Sequence, residues 1–147
     1  MLRAPFARRV GADAVVDASV WVSRLVPSDV NHKATVDWFE RRGEEGSLLI
    51  APAVMRPEVS GAIARRTRDR KLARRAIERL LRLSTLRIVT VDWRLAEHAA
   101  SLAADLRLRG ADATYVAVAD RLHLPLVTWD REQRERAKEA VRTVTAT

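Results

Sequence analysis

The sequence contains no cysteine, which removes disulfide frameworks, thiolate zinc centres and cysteine nucleophiles together. Glycine and proline are scarce, five of each in 147 residues, so collagen-like and low-complexity chains are excluded. Long apolar runs are missing as well. The longest stretch without Asp, Glu, Lys or Arg, Gly46 to Met55, is ten residues, whereas a membrane-spanning helix needs about 20 apolar residues. The basic segment Met1 to Arg9 is not followed by an apolar core and a cleavage site, so no secretory signal is expected. These absences make a cytoplasmic protein with no membrane partner the expectation. What remains is 48% hydrophobic and 31% charged, the makeup and length of one globular domain with one core. Residues 1–12 read as a peripheral N-terminal extension and residues 13–147 as a single domain.

Acidic residues are the scarcer charge, 19 against 27 basic ones, for a net charge of +8; 24 of the basic residues are arginine. The excess is concentrated. Between Arg65 and Arg82 stand nine basic residues and two acidic ones, a net +7 within eighteen positions. Such a block suits a nucleic-acid footprint, a docking surface for an acidic partner, or a plain solvated helix face. Guanidinium forks grip two oxygens at once, which tilts the reading slightly toward phosphate.

Short β-branched runs alternate with longer helical patterns. Ala14–Asp17, Leu48–Ile50, Arg87–Val91 and Leu126–Trp129 are near-continuous apolar stretches, as buried parallel strands require, and Val141–Val144 is a weaker fifth. Helical periodicity covers Asp29 to Arg42, and Lys71 to Leu83 with Leu72, Ala73, Ala76, Ile77, Leu80 and Leu81 on one face. It also covers Leu95 to Leu108, with Gly110 as its stop, and Asp112 to Leu122. Pro57 starts a further helix near Arg56 and puts Glu58 in its first turn. This alternation predicts an α/β domain with a central parallel sheet of four to five strands flanked by helices.

Ligands of open parallel sheets gather at the carboxyl ends of the strands. Two strands here run into aspartate, at Asp17 and Asp130. A lone aspartate in such a place is ordinarily a helix N-cap, and Glu58 in a first turn ordinarily complements the helix dipole. Asp17, Glu58, Asp112 and Asp130 taken together form an all-oxygen carboxylate set. If the fold gathers them, hard divalent cations, Mg²⁺ or Mn²⁺, are needed to offset their repulsion. Two such ions about 3.5–4 Å apart suit phosphodiester hydrolysis by an activated water.

The ordered segments Val15-Val16-Asp17-Ala18-Ser19-Val20, Ala51-Pro52 followed by Glu58-Val59, Asp112 to Ala119, and Pro125 to Asp130 resemble the PIN-domain ribonucleases. The likeness is greatest to the VapC toxins of toxin–antitoxin pairs, and it spans about Ala14 to Ala137. The resemblance implies a three-layer α/β/α fold and a Mg²⁺- or Mn²⁺-dependent endoribonuclease cutting structured RNA. It implies an acidic quartet of Asp17, Glu58, Asp112 and Asp130, with Ser19 and Thr128 as supporting polar neighbours. It also implies a cognate antitoxin partner and a homodimer. Arg65, Arg68, Arg75 and Arg79 are then candidates for contact with RNA or antitoxin. The alternative is a catalytically idle PIN-like module that binds RNA or antitoxin, motivated by two departures from the family pattern. Gly61 stands where many relatives have Asn, and Pro57 directly precedes the acidic residue.

Other residues read more plainly. Asp92 caps the helix that begins at Trp93, and Asp120 faces solvent. His32, His98 and His123 fit no metal or triad spacing, and Ser19 lacks a His–Asp relay. Trp21, Trp38 and Trp93 read as core or partner-groove residues; Trp21, Trp38 and Phe39 are groove candidates for the antitoxin. Trp129 is expected to pack under a helix, with base stacking as the other option. A phosphoacceptor switch fits poorly: all three lysines lie in helical stretches, and Ser19 stands where a dehalogenase-type phosphatase needs a second Asp.

Overall fold

The computed structural model describes residues 13–147, and the expected N-terminal extension lies outside the described residues. Five strands and seven helices follow one another as β1 (Ala14–Val16), α1 (Ala18–Leu25), α2 (His32–Glu44), β2 (Leu49–Pro52), α3 (Met55–Thr67) and α4 (Arg70–Leu81). Then come β3 (Leu86–Val89), α5 (Trp93–Leu106), α6 (Gly110–Leu122), β4 (Leu126–Val127), α7 (Arg131–Ala137) and β5 (Thr143–Val144). The strands form one sheet in the order β3-β2-β1-β4-β5, every neighbouring pair parallel. With helices on both faces this is the three-layer α/β/α arrangement that the alternation predicts. No helix among the described residues is long and apolar enough to cross a membrane.

Burial explains the strand sequences. Residues 14–16, 49–52 and 126–127 are buried along their whole length, as strands covered on both faces must be. At the sheet edge, β3 exposes Arg87 and Ile88, and a charged edge discourages pairing with another chain. On one side α6 packs across β1, β2 and β4 while α5 packs on α6; α1 joins α2 and α3 elsewhere. The first strand lies in the middle. The chain winds outward to β3, then returns to lay β4 on the other flank of β1. That reversal creates a crevice at the carboxyl ends of β1 and β4, the usual ligand position in such sheets. Register makes it level: Val16 stands opposite Val127, and Asp17 N–H donates to Val127 O at 2.9 Å.

Four helices carry aspartate N-caps whose carboxylates accept a backbone N–H: Asp17, Asp69, Asp92 and Asp130. Three helices end instead on a non-glycine residue in the left-handed region, Arg68, Arg107 and His123, with φ of 53–56°. The expected stop at Gly110 is therefore corrected. Arg107 ends α5, and Gly110 is the first residue of α6.

The amphipathic face of α4 is narrower than its sequence suggests. Ala73, Ala76 and Leu80 are buried, but Leu72 and Leu81 are 38% and 42% exposed, because this helix leans chiefly on α3. Trp21 and Trp38 are buried core residues, with Phe39 5.1 Å from each ring. Trp21 Nε1 donates to Val16 O. Trp38 also borders a cavity of about 450 Å³ beside Arg42 and Pro125, whereas Trp21 is wholly enclosed. Trp93, in contrast, is 84% exposed at the start of α5 and belongs to no core.

Candidate active site

Asp17 leaves the end of β1 almost fully buried, 4% exposed, so its charge needs donors. It has three. Ser19 N–H reaches Oδ2 at 3.0 Å, and the Thr128 hydroxyl, 3.1 Å from the same oxygen, shares its single proton between that carboxylate and Gln133 Oε1. Gln133 Nε2 lies 3.4 Å from Oδ1. Ser19 and Thr128 brace each other as well, their hydroxyls 3.2 Å apart, and Trp129 N–H donates to Ser19 Oγ. The two supporting residues thus bear directly on Asp17.

Asp130, one residue past Trp129, caps α7 by accepting Gln133 N–H on Oδ1 at 3.0 Å. Its own N–H donates to Thr128 Oγ1. Asp112 lies in the first turn of α6, and Glu58 in the first turn of α3. Pro57, the third residue of α3, is exposed and sits where a helix has no use for its N–H.

Electrostatics show which of these carboxylates share a neighbourhood. Burial above all pushes the Glu58 carboxyl up to about 7; the neighbouring Tyr115 hydroxyl opposes it, the charges of Asp17 and Asp112 add to the rise, and Arg109 opposes it least. Burial also raises Asp112, followed by the repulsion of Asp17; Arg109 opposes both. Asp130 adds a smaller repulsion on Asp112. Glu58 Oε1 and the Tyr115 hydroxyl are buried, and neither meets the geometry of a hydrogen bond. Burial and the same carboxylates hold the Tyr115 phenol protonated.

The Arg109 side chain is 79% exposed and spans two acids, its Nε 3.1 Å from Asp112 Oδ2 and its Nη2 3.5 Å from Asp130 Oδ2. Among the described residues, no three acidic or histidine side chains close into a metal-holding cluster in this arrangement. No one cavity takes all four carboxylates: Glu58 and Asp130 line a large cleft and Asp112 and Asp130 a smaller one of about 200 Å³, while Asp17 is buried beneath and tied by its donors, and Asp112 and Asp130 are tied by Arg109.

An open cleft of about 920 Å³ is lined by Ser19, Glu58, Trp129 and Asp130 together with Arg65 and Arg66. Trp129 is half-buried; its indole N–H donates to Thr35 Oγ1 on α2 at 2.9 Å, so it packs against a helix while it lines the cleft. Arg66 pairs with Asp29. Arg65, Arg68, Arg75 and Arg79 are exposed, and none forms an ion pair with a described residue. A Cβ at Gly61 would stand 3.0 Å from Arg65 Nη1, so the missing Asn side chain is replaced there by arginine. Away from the site, Asp120 is not merely solvent-facing: it pairs with His98 Nε2 at 2.7 Å.

Three residues at the site went unmarked in the sequence reading. Arg109 stands three before Asp112 and Tyr115 three after it, the spacing that puts side chains on one helix face. Gln133 stands three after Asp130, the spacing of a capping box.

The PIN domain family matches residues 14–139. Among solved structures, VapC20 of Mycobacterium tuberculosis, a sarcin-ricin-loop-cleaving toxin, superposes with a TM-score of 0.72 at 18% identity, over 84% of this chain and 94% of that one. FitAcB from Neisseria gonorrhoeae gives 0.68 at 21% identity, over 90% and 97%. VapBC2 from Rickettsia felis, bound to a DNA fragment from its promoter, gives 0.69 at 11% identity, over 90% and 97%. At these identities the likeness is one of fold. No curated protein matches the sequence.

Proposed function

Because this chain belongs to the PIN-domain family, we propose that it is a Mg²⁺- or Mn²⁺-dependent endoribonuclease, the toxin of a toxin–antitoxin pair. What supports the reading is the bonding at the carboxyl ends of the strands: Thr128 and Gln133 join Asp17, Asp112 and Asp130, and Glu58 is near enough to feel the charges of Asp17 and Asp112. Folding has gathered like charges at a cost, and Glu58 Oε1 is left buried without a partner. An all-oxygen donor set of this kind fits a hard dication. Asp17, Glu58, Asp112 and Asp130 would hold it, and when bound it supplies positive charge that acidifies water and offsets charge on the phosphate.

The chain's own residues do the rest. Ser19 and Thr128 hold the Asp17 carboxylate in place. Burial holds the Glu58 carboxyl well above the usual carboxylate range, so it would have to give up its proton to serve as a ligand. Water then attacks phosphorus in line, the bond to the 3′-oxygen breaks, and the water's proton passes to the departing oxygen. No 2′-hydroxyl takes part, so the products carry 5′-phosphates.

Exposed, and with no ion pair to a described residue, Arg65, Arg68, Arg75 and Arg79 suit a phosphate backbone or an acidic stretch of the antitoxin. The likeness in fold to VapBC2 and FitAcB supports the antitoxin partner, and the resemblance to VapC toxins implies a homodimer. Arg109, already bridging Asp112 and Asp130, favours the second reading, an idle PIN-like module that binds RNA or antitoxin. Asp17→Asn separates the two. Mn²⁺-dependent cleavage of bulk tRNA by the native chain, abolished in this variant with the circular dichroism spectrum unchanged, supports the nuclease. Equal cleavage by both proteins, or no saturable Mn²⁺ binding by either, refutes it.

A further inference from the structure

We propose that Gln133 is a positioning residue of this site: its buried amide, with its own backbone N–H, ties the three aspartates to one another. The proposal rests on the nuclease reading above. Gln133 is the sole glutamine of the chain and is 1% exposed. Its side-chain nitrogen lies 3.4 Å from Asp17 Oδ1 and 3.4 Å from the Asp112 carbonyl oxygen. Its backbone N–H donates to Asp130 Oδ1, and its carbonyl Oε1 lies 2.7 Å from the Thr128 hydroxyl, whose proton it shares with Asp17 Oδ2. One residue of α7 thereby touches Asp17, Asp112 and Asp130.

The orientation of the amide follows from its neighbours. A carboxylate and a peptide carbonyl can only accept, so the NH₂ end faces them and Oε1 faces the hydroxyl. The spacing Asp130-x-x-Gln133 would ordinarily send a glutamine side chain back to the N–H of the cap residue. Here Thr128 Oγ1 accepts that N–H at 3.0 Å. Relieved of the capping task, the amide reaches inward to Asp17. The substitution most damaging for its size is then Gln133→Glu, which keeps the shape but turns a donor into an acceptor beside Asp17 and the Asp112 carbonyl.

The contact is tested first in the folded protein without added metal. Asn31 and Gln133 carry the only side-chain amides in the chain, so two NH₂ pairs are expected in a ¹⁵N spectrum, with Asn31 as internal reference. The Gln133 pair should exchange slowly with solvent and shift in Asp17→Ala, which adds no amide, while the Asn31 pair stays put; a Gln133 pair indifferent to Asp17→Ala in the folded protein overturns the proposal. Cleavage of bulk tRNA with Mn²⁺ then reads the role. Gln133→Met and Gln133→Glu should lose about 10- to 100-fold in kcat, the usual effect of removing a group that orients a ligand, with KM within twofold. A loss confined to KM, or full kcat in Gln133→Met beside a dead Asp17→Asn, overturns this proposal alone. Wild-type cleavage by Asp17→Asn overturns the nuclease reading and the proposal with it.

Discussion

Replacing Glu58 by glutamine should make the metal-free protein more stable at pH 8 and leave it nearly unchanged at pH 5. Burial and the charges of Asp17 and Asp112 raise this carboxyl from 4.5 to about 7. At about 1.4 kcal/mol per pH unit, ionising it in the fold costs about 3 kcal/mol. The group is partly solvated, and screening reduces this to about 1–2 kcal/mol. The sign follows from proton counting. Between pH 4.5 and 7 the native state binds more protons than the unfolded one, so stability falls as pH rises through that window and levels off above it. Below pH 4.5 both states are protonated and the penalty vanishes. Asp112, raised by burial and by Asp17, adds to the same trend. Glutamine cannot ionise, so Glu58→Gln should gain about 1–2 kcal/mol at pH 8, or about 3–6 °C in Tm for a chain of this size. Urea denaturation in EDTA at pH 5 and pH 8, on both proteins, reads this directly. A gap of the same size at both pH values, or a variant less stable than the native chain at pH 8, refutes the argument that these acids repel one another.

Arg109→Ala removes a cation that occupies Asp112 and Asp130; at pH 8 it should tighten Mn²⁺ binding by roughly 3-fold, the scale of an exposed ion pair, measured by calorimetry. Leu80→Ala should cost about 2–5 kcal/mol, because Leu80 is fully buried. Leu72→Ala on the same helix should cost about 0.5 kcal/mol or less; equal losses would mean that the face of α4 is as broad as its periodicity suggests.

The sheet is legible in the sequence because its strands are buried on both sides. Val15-Val16 and Leu126-Val127 admit no polar position, and unbroken apolar runs between helical patterns leave few alternatives. The strand-end aspartates are legible too, for a reason that cuts both ways. Asp17 and Asp130 are N-caps and both bond Thr128 Oγ1 as well, so the ordinary role and the proposed one are not rivals. Elsewhere local pattern and tertiary setting part company. Leu72 and Leu81 satisfy helical spacing, but burial depends on what stands opposite. Gly110 has the chemistry of a helix stop, yet Arg107 takes the left-handed turn three residues earlier. Gln133 is hidden by its own plausibility: its spacing from Asp130 is that of a cap, and only the hydroxyl of Thr128, which intercepts the expected bond, releases it. No property of one segment announces a contact between residues 17 and 133.

The position of β1 carries a consequence for assembly. This strand comes first among the described elements, yet the neighbour that completes the candidate site is β4, at residues 126–127, with Asp130 and Gln133 beyond it. The sheet can close on its β2–β3 side from the earlier part of the chain, but the candidate site needs the β1–β4 pairing as well. Such distant pairing is slow to form, and the proposed activity has to await it. A nick in the 123–125 turn that let the tail drift away would silence the protein while much of its core stayed folded.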